Sequence, residues 1–168
     1  MRALSRLAGA LACLGLPAAA SAQQLDPRSN CQVRVDPIDF GIYSTSSAAP
    51  ADSTGHIEIK CGGNDAGKGT VVTLSPGASG HYHDRTLVHG ADELNYNLYV
   101  DPGHRIVAGN GSQGTLPLIG RPGDGKLSEF RLGRTTTRVD YTVYGRVFPR
   151  QSVAAGAYMD EITVTVVF

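Results

Sequence analysis

Gly109-Asn110-Gly111-Ser112-Gln113-Gly114 has the spacing of G-x-G-x-x-G, in which glycines let a pyrophosphate approach the backbone at a helix N-terminus. Thr115-Leu116-Pro117 follows, which is strand or loop chemistry, so the stretch reads as a hairpin turn. Gly62, Gly67 and Lys68 stand at phosphate-loop spacing, but Gly69 occupies the place of the Ser or Thr that would hold magnesium. His81 and His83 flank Tyr82 and would share one face of a strand, with Asp84, His89 and His104 as further candidate ligands for zinc or copper. In so turn-rich a segment they read as solvated loop histidines, and no metal is assigned. No Gly-x-Ser-x-Gly elbow is present. Asp92 with Glu93 and Asp160 with Glu161 are sequence neighbours, which a strand sends to opposite faces. Arg131, Arg134, Arg138, Arg146 and Arg150 make a basic stretch without interleaved aromatics on which bases could stack, and read as a solvated sheet face. These residues assign no catalytic group and no cofactor.

The cysteines carry firmer chemistry. Cys13 lies in a segment with the three parts of a secretory signal: basic Arg2 and Arg6, apolar Leu7 to Leu16, then Pro17 and the small residues Ala18 to Ala22. Cleavage after Ala22 would leave 146 of the 168 residues, with Cys31 and Cys61 as the mature pair. An exported chain with two cysteines is expected to join them as a disulfide. Of the 15 basic residues, Arg2 and Arg6 leave with the signal, and 13 remain against 15 acidic, which disfavours nucleic acid as a partner. No apolar run reaches the roughly 18 residues of a membrane-spanning helix.

The elements that position these residues are strands. Turn signals recur at Asp36-Pro37, Ser75-Pro76-Gly77, Ser79-Gly80, Asp101-Pro102-Gly103, Gly109-Asn110-Gly111 and Arg121-Pro122-Gly123, with short alternating runs between them. Cys31, Val33 and Val35 share one parity, as do Ile57, Ile59 and Cys61, so each cysteine points with its strand's apolar face toward a core. Further strands are expected at Thr70 to Ser75, Leu94 to Val100 and Arg138 to Phe148, with weaker signals at Thr115 to Ile119 and Leu127 to Leu132. Ser44 to Asp52 reads as a loop crossing between sheets. The pattern predicts one all-β domain, residues 23 to 168, built as an immunoglobulin-like sandwich. Its last strand is unusual: Ile162, Val164, Val166 and Phe168 alternate with Thr163, Thr165 and Val167, an apolar edge that something must cover. A C-terminal Phe after alternating apolar residues also fits a small outer-membrane β-barrel, although long lipid-facing strands and aromatic girdles are lacking.

Several stretches carry a family likeness: Phe40-Gly41-Ile42-Tyr43, Gly55-x-Ile57-x-Ile59-x-Cys61, Leu74-Ser75-Pro76-Gly77, Leu94-Asn95-Tyr96-Asn97-Leu98-Tyr99, Tyr144-Gly145-Arg146-Val147 and Gly156-x-Tyr158-x-Asp160, followed by Ile162 to Phe168. In this order and combination they resemble the spore coat protein U domain family, which includes subunits of archaic chaperone-usher pili. The resemblance implies a sandwich lacking its final strand, held by a periplasmic chaperone, passed to an outer-membrane usher, and completed in the fibre by another subunit's donor strand. Chaperone and partner strand would meet the edge formed by Ile162, Val164, Val166 and Phe168. It further implies a structural, non-enzymatic protein at the cell surface. Two features depart from the family: no tryptophan precedes Gly109, and Gln23 to Asn30 offers one large apolar residue, Leu25, with Pro27 in its midst. That segment makes a poor donor, which would place the chain at a fibre tip or among minor components.

Overall fold

The computed structural model describes residues 30–63, 69–120, 128–131 and 134–167. The expected signal segment, residues 23–29 and Phe168 lie outside the described residues. Strands follow in the order β1 (Cys31–Asp36), β2 (Ala51–Gly62), β3 (Thr70–Leu74), β4 (Arg85–His89), β5 (Asp92–Tyr99), β6 (Leu118–Gly120), β7 (Ser128–Arg131), β8 (Arg134–Val147) and β9 (Val164–Val167). The larger sheet runs β1-β2-β8-β5-β4, with β7 also on β8, and the smaller runs β6-β3-β9. Every pairing between these strands is antiparallel.

This order maps onto the immunoglobulin plan, whose sheets are A-B-E-D and C-F-G. In chain order β1, β2, β3, β5, β8 and β9 take the places of A, B, C, D, E and F. β9 has β3 on one side, and no strand among the described residues takes the place of G on the other. The sheets enclose one apolar core, to which the larger contributes Ile57, Ile59, Tyr96, Leu98, Val139 and Val143 and the smaller Val72, Leu74 and Leu118. Among the described residues the strands form two separate sheets packed on one core, the arrangement of a sandwich, which does not favour the membrane-barrel alternative.

Several strands differ from expectation in extent. β8 begins at Arg134 and β2 at Ala51, so the expected loop gives up its last two residues to a strand. Both strands run on because each supplies the other with twelve registered partners, from Ala51↔Val147 to Gly62↔Thr136. The last strand starts at Val164: Thr163 contributes bonds at its margin, while Ile162 lies in the approach to it. β4 has no apolar alternation. Its first residue, Arg85, is fully buried. The guanidinium donates to the carbonyls of Tyr82 (3.2 Å), Ser75 (2.9 Å) and Ala108 (2.9 Å) and to Asn97 Oδ1 (2.7 Å). Burial lowers its pKa, and this cage of acceptors compensates for the lost water.

Candidate functional site

Cys31 and Cys61 are directly opposed in the β1–β2 register and joined, with Cα atoms 4.0 Å apart. β1 needs this tie. Among the described residues it pairs only with β2, and past Cys31 its side chains are exposed apart from half-buried Val33. Beyond Asp36 the chain leaves the ladder at Pro37 and crosses the inner face of the larger sheet as a strap without strand pairing.

Glycines make room for that strap. A Cβ at Gly145 would stand 2.7 Å from Phe40 Cζ, and one at Gly55 2.5 Å from Ile38 Cγ1, inside any tolerable contact. These glycines lie on neighbouring strands, Gly55 opposite Val143 and Gly145 opposite Ser53, so they form one notch in the sheet. The strap's far end is fixed by Tyr43, whose hydroxyl donates to the Phe148 carbonyl (3.0 Å) and accepts from the Gln151 N–H (2.8 Å).

Between strap and β9 lies a cleft of about 230 Å³. Its one wall is Val35 to Phe40, its other Ile162 and Val164, and its floor includes Ile57, Leu98 and Val143. The lining is apolar apart from the rims, where Asp36, His56 and Asp160 stand. Ile162, Val164 and Val166 remain half-buried although all three pack against the core, and Val167 on the outer face is 57% exposed. The β3–β9 ladder continues past its last strand pair through Ser75 N–H to Thr163 O and Thr163 N–H to Ser75 Oγ, both 2.9 Å. β9 is therefore locked to β3 along one side.

Of the residues the sequence singles out, Ile162 and Val164 line the cleft, Val166 sits further along the same strand, and Phe168 lies outside the described residues. The disulfide belongs to the opposite wall, where it anchors the start of the strand that leads into the strap. The histidines are dispersed. His83 Nε2 bonds the Gln113 carbonyl (2.8 Å), His89 packs on Tyr158 (5.4 Å between centroids), and His104 sits edge-on against Tyr99 (5.1 Å). Among the described residues no cluster of three His, Cys, Asp or Glu is placed to hold a metal. The basic stretch is neutralised in part: Arg138 meets Glu58 (2.6 Å), and Arg146 makes a two-pronged contact with Asp52, 2.7 Å on each oxygen. That contact pulls the Asp52 pKa down. The glycines of the 109–114 turn answer to the backbone, since Gly111 and Gly114 have φ of 91° and 76° and Gly109 packs against Thr115.

Sequence reasoning overlooked Tyr96 and Phe40 as parts of the cleft, because each stands in an apolar run and their edge-on contact (5.8 Å between centroids) exists only in the tertiary fold.

The spore coat protein U domain model matches residues 18–165. No curated protein sequence matches the chain. Among solved structures, the chaperone–tip adhesion subunit pre-assembly complex CsuC–CsuE from the archaic Csu pili of Acinetobacter baumannii superposes with TM-score 0.54 at 19% identity. The match covers 82% of this chain and 39% of that one, so the chain spans about two fifths of the relative's length. The Escherichia coli Hda pilus minor tip subunit HdaB gives TM-score 0.32 at 14% identity, over 80% of this chain and 78% of that one.

Proposed function

Since this chain belongs to the spore coat protein U domain family, we propose that it is an exported, non-catalytic subunit of a chaperone-usher surface fibre or coat that accepts another subunit's strand. One observation carries the reading: among the described residues the smaller sheet stops at β9, beside an apolar cleft, at the place of the immunoglobulin plan's seventh strand. An extended segment laid along β9 would gain main-chain hydrogen bonds and sink alternate side chains into the cleft. The half-burial of Ile162, Val164 and Val166 leaves apolar area for it to cover. Before assembly the same edge would be held by a strand of the periplasmic chaperone, and the outer-membrane usher would exchange one for the other. Residues 1–22 would direct export, with 23–168 as the mature domain and the cell surface as its destination. Leu25 and Pro27 leave the segment before Cys31 little to offer a neighbour's cleft, which favours a tip or minor position.

The test replaces Val164 and Val166 by Asp together, placing two charges in the apolar face of β9. Co-expressed with the pilus chaperone, the double variant is expected to lose co-purification. Retention at the wild-type level would remove β9 as the acceptor edge.

A further inference from the structure

A depression of about 370 Å³ opens on the outer face of the larger sheet, lined by His83, Asp84, Asn95, Phe148 and Gln151, and it shares no residue with the apolar cleft. It forms where β8 ends at Val147 and leaves β5. Asn95 points outward from β5, between buried Leu94 and Tyr96. One side chain, Gln151, meets it there: Oε1 accepts from the Asn95 N–H (2.7 Å) and from Asn95 Nδ2 (2.9 Å), while Nε2 donates to the carbonyls of Asn95 and Phe148 (2.8 Å each). The Gln151 amide is thereby spent, standing in for the strand partner that β5 loses.

Two backbone outliers hold the walls. Gln151 follows Arg150, at φ 58°, and His83 is fixed by Gln113, at φ 53°, whose carbonyl accepts from His83 Nε2 (2.8 Å). These are two of the three non-glycine residues with positive φ among the described residues. A non-glycine residue in the left-handed region is strained, and such strain gathers at ligand sites. The groups left over have a definite chemistry. The Asp84 carboxylate is exposed and has no ion pair or hydrogen bond among the described residues. Asn95 keeps Oδ1 and one amide hydrogen, and with its proton on Nε2 the neutral His83 ring keeps Nδ1 as an acceptor. Half-buried Phe148 supplies the apolar wall.

We propose that this depression binds a pyranose sugar, which makes the domain a ligand-binding module in addition to a structural one. Acceptors outnumber donors in it, but one donor stands among them, a mixture that suits hydroxyls, which both give and take hydrogen bonds. Two neighbouring hydroxyls can donate to Asp84 and to Asn95 Oδ1 while the C–H face of the sugar ring lies on Phe148. The carboxylate of Asp84 turns away anions, acidic sugars included. The volume, about 370 Å³, lies at the lower end of the range for small-ligand sites and suits a single ring. The site is on the larger sheet and does not depend on what lies along β9.

The test titrates the isotope-labelled full-length exported chain with the methyl glycosides of glucose, galactose and mannose in turn, up to about 50 mM, a range that reads millimolar affinity by NMR. At least one is expected to shift the side-chain amide of Asn95 and the backbone amides of His83 and Gln151, saturably and with the cleft residues unmoved. Asp84→Ala removes a carboxylate that the fold does not use. It should weaken that glycoside about ten-fold, the scale of a hydrogen bond to a charged acceptor, and leave the urea midpoint where it is. Phe148→Leu keeps an apolar side chain but loses the flat ring, and should weaken binding several-fold. No shift with any of the three glycosides, or binding that Asp84→Ala leaves undiminished, would overturn the proposal. Methylammonium moving the Asn95 amide where the glycosides do not would replace the sugar with a cation and overturn it too. Failure of Asp84→Ala to fold would make the carboxylate a structural group and refute its role. Each of these results leaves chaperone capture through β9 untouched, so failure here is distinguishable from failure of the proposed function.

Discussion

Replacing both Cys31 and Cys61 by Ala tests how the cleft's strap-side wall is held. The bridge closes a loop with a sequence separation of 30. The chain-entropy relation gives about 3.6 kcal/mol for a loop of that length at 25 °C. For a domain of this size that corresponds to a melting temperature lower by roughly 10 °C. The loss should not spread evenly. Cys31 is the one fully buried side chain of β1, and without the bridge that strand is left with a single neighbour and the ladder from Gln32↔Lys60 to Asp36↔His56. The strap follows directly on this strand, so amide exchange should rise first over residues 31–43 and then over the cleft. Urea unfolding of wild type, of wild type with reductant and of the Ala pair gives three curves, of which the last two should coincide. A stability difference below about 1 kcal/mol would contradict the loop argument. Alkylation of both thiols in the unreduced native protein would contradict the pairing itself.

Gly145→Ala should cost about 1–3 kcal/mol by urea midpoint, because its Cβ meets the Phe40 ring and nothing on a paired strand can retreat. Combined with Phe40→Ala it should cost less than the sum, and additivity would show that the notch does not exist in solution. Asp52→Asn should change the pH dependence of stability. Arg146 depresses the Asp52 pKa in the folded state, so the unfolded chain takes up this proton at the higher pH. The contribution is therefore complete above about pH 4 and disappears as pH falls through the folded value. Wild type and Asp52→Asn should differ at pH 7 by a small amount, since the pair is partly exposed, and converge in acid. A gap that persists at low pH would disprove the linkage. N-terminal sequencing of the exported protein should begin at Gln23; any other start would move the processing site.

The legible parts of the fold are those in which side chains alternate strictly. β2 reads Gly55, Ile57, Ile59 and Cys61 inward against His56, Glu58 and Lys60 outward, and its burial follows the same alternation. β5 is legible at Leu94, Tyr96 and Leu98 but also buries Asn97 and Tyr99, because Arg85 covers one and His104 the other. β4 was illegible for a related reason: a buried arginine reads as surface unless its carbonyl acceptors, contributed by three separate segments, are known. The alternation of half-buried and exposed residues along β9 could be read locally. The wall opposite could not, because Ile38 and Phe40 gain their meaning from glycines far along the chain, at 55 and 145. Asp160, taken with Glu161, reads as solvated charge until the turn at Gly77 and the hydroxyl of Tyr96 are brought to it.

The sheet edges differ in how they are guarded. β4 is closed off by the Val88–Met159 bridge, β1 carries the Arg34–Asp36 pair along its margin, and β6 has three residues on which little could pair. β9 is built of Val and Thr alone, without a charge or a proline along it. On the strand-accepting reading proposed above, β9 is the edge through which the domain is joined. A molecule that can be joined at one strand edge cannot branch through its sheets. Any structure built by filling that edge grows as a line, and its length is set by whether the next segment in turn finds an empty cleft.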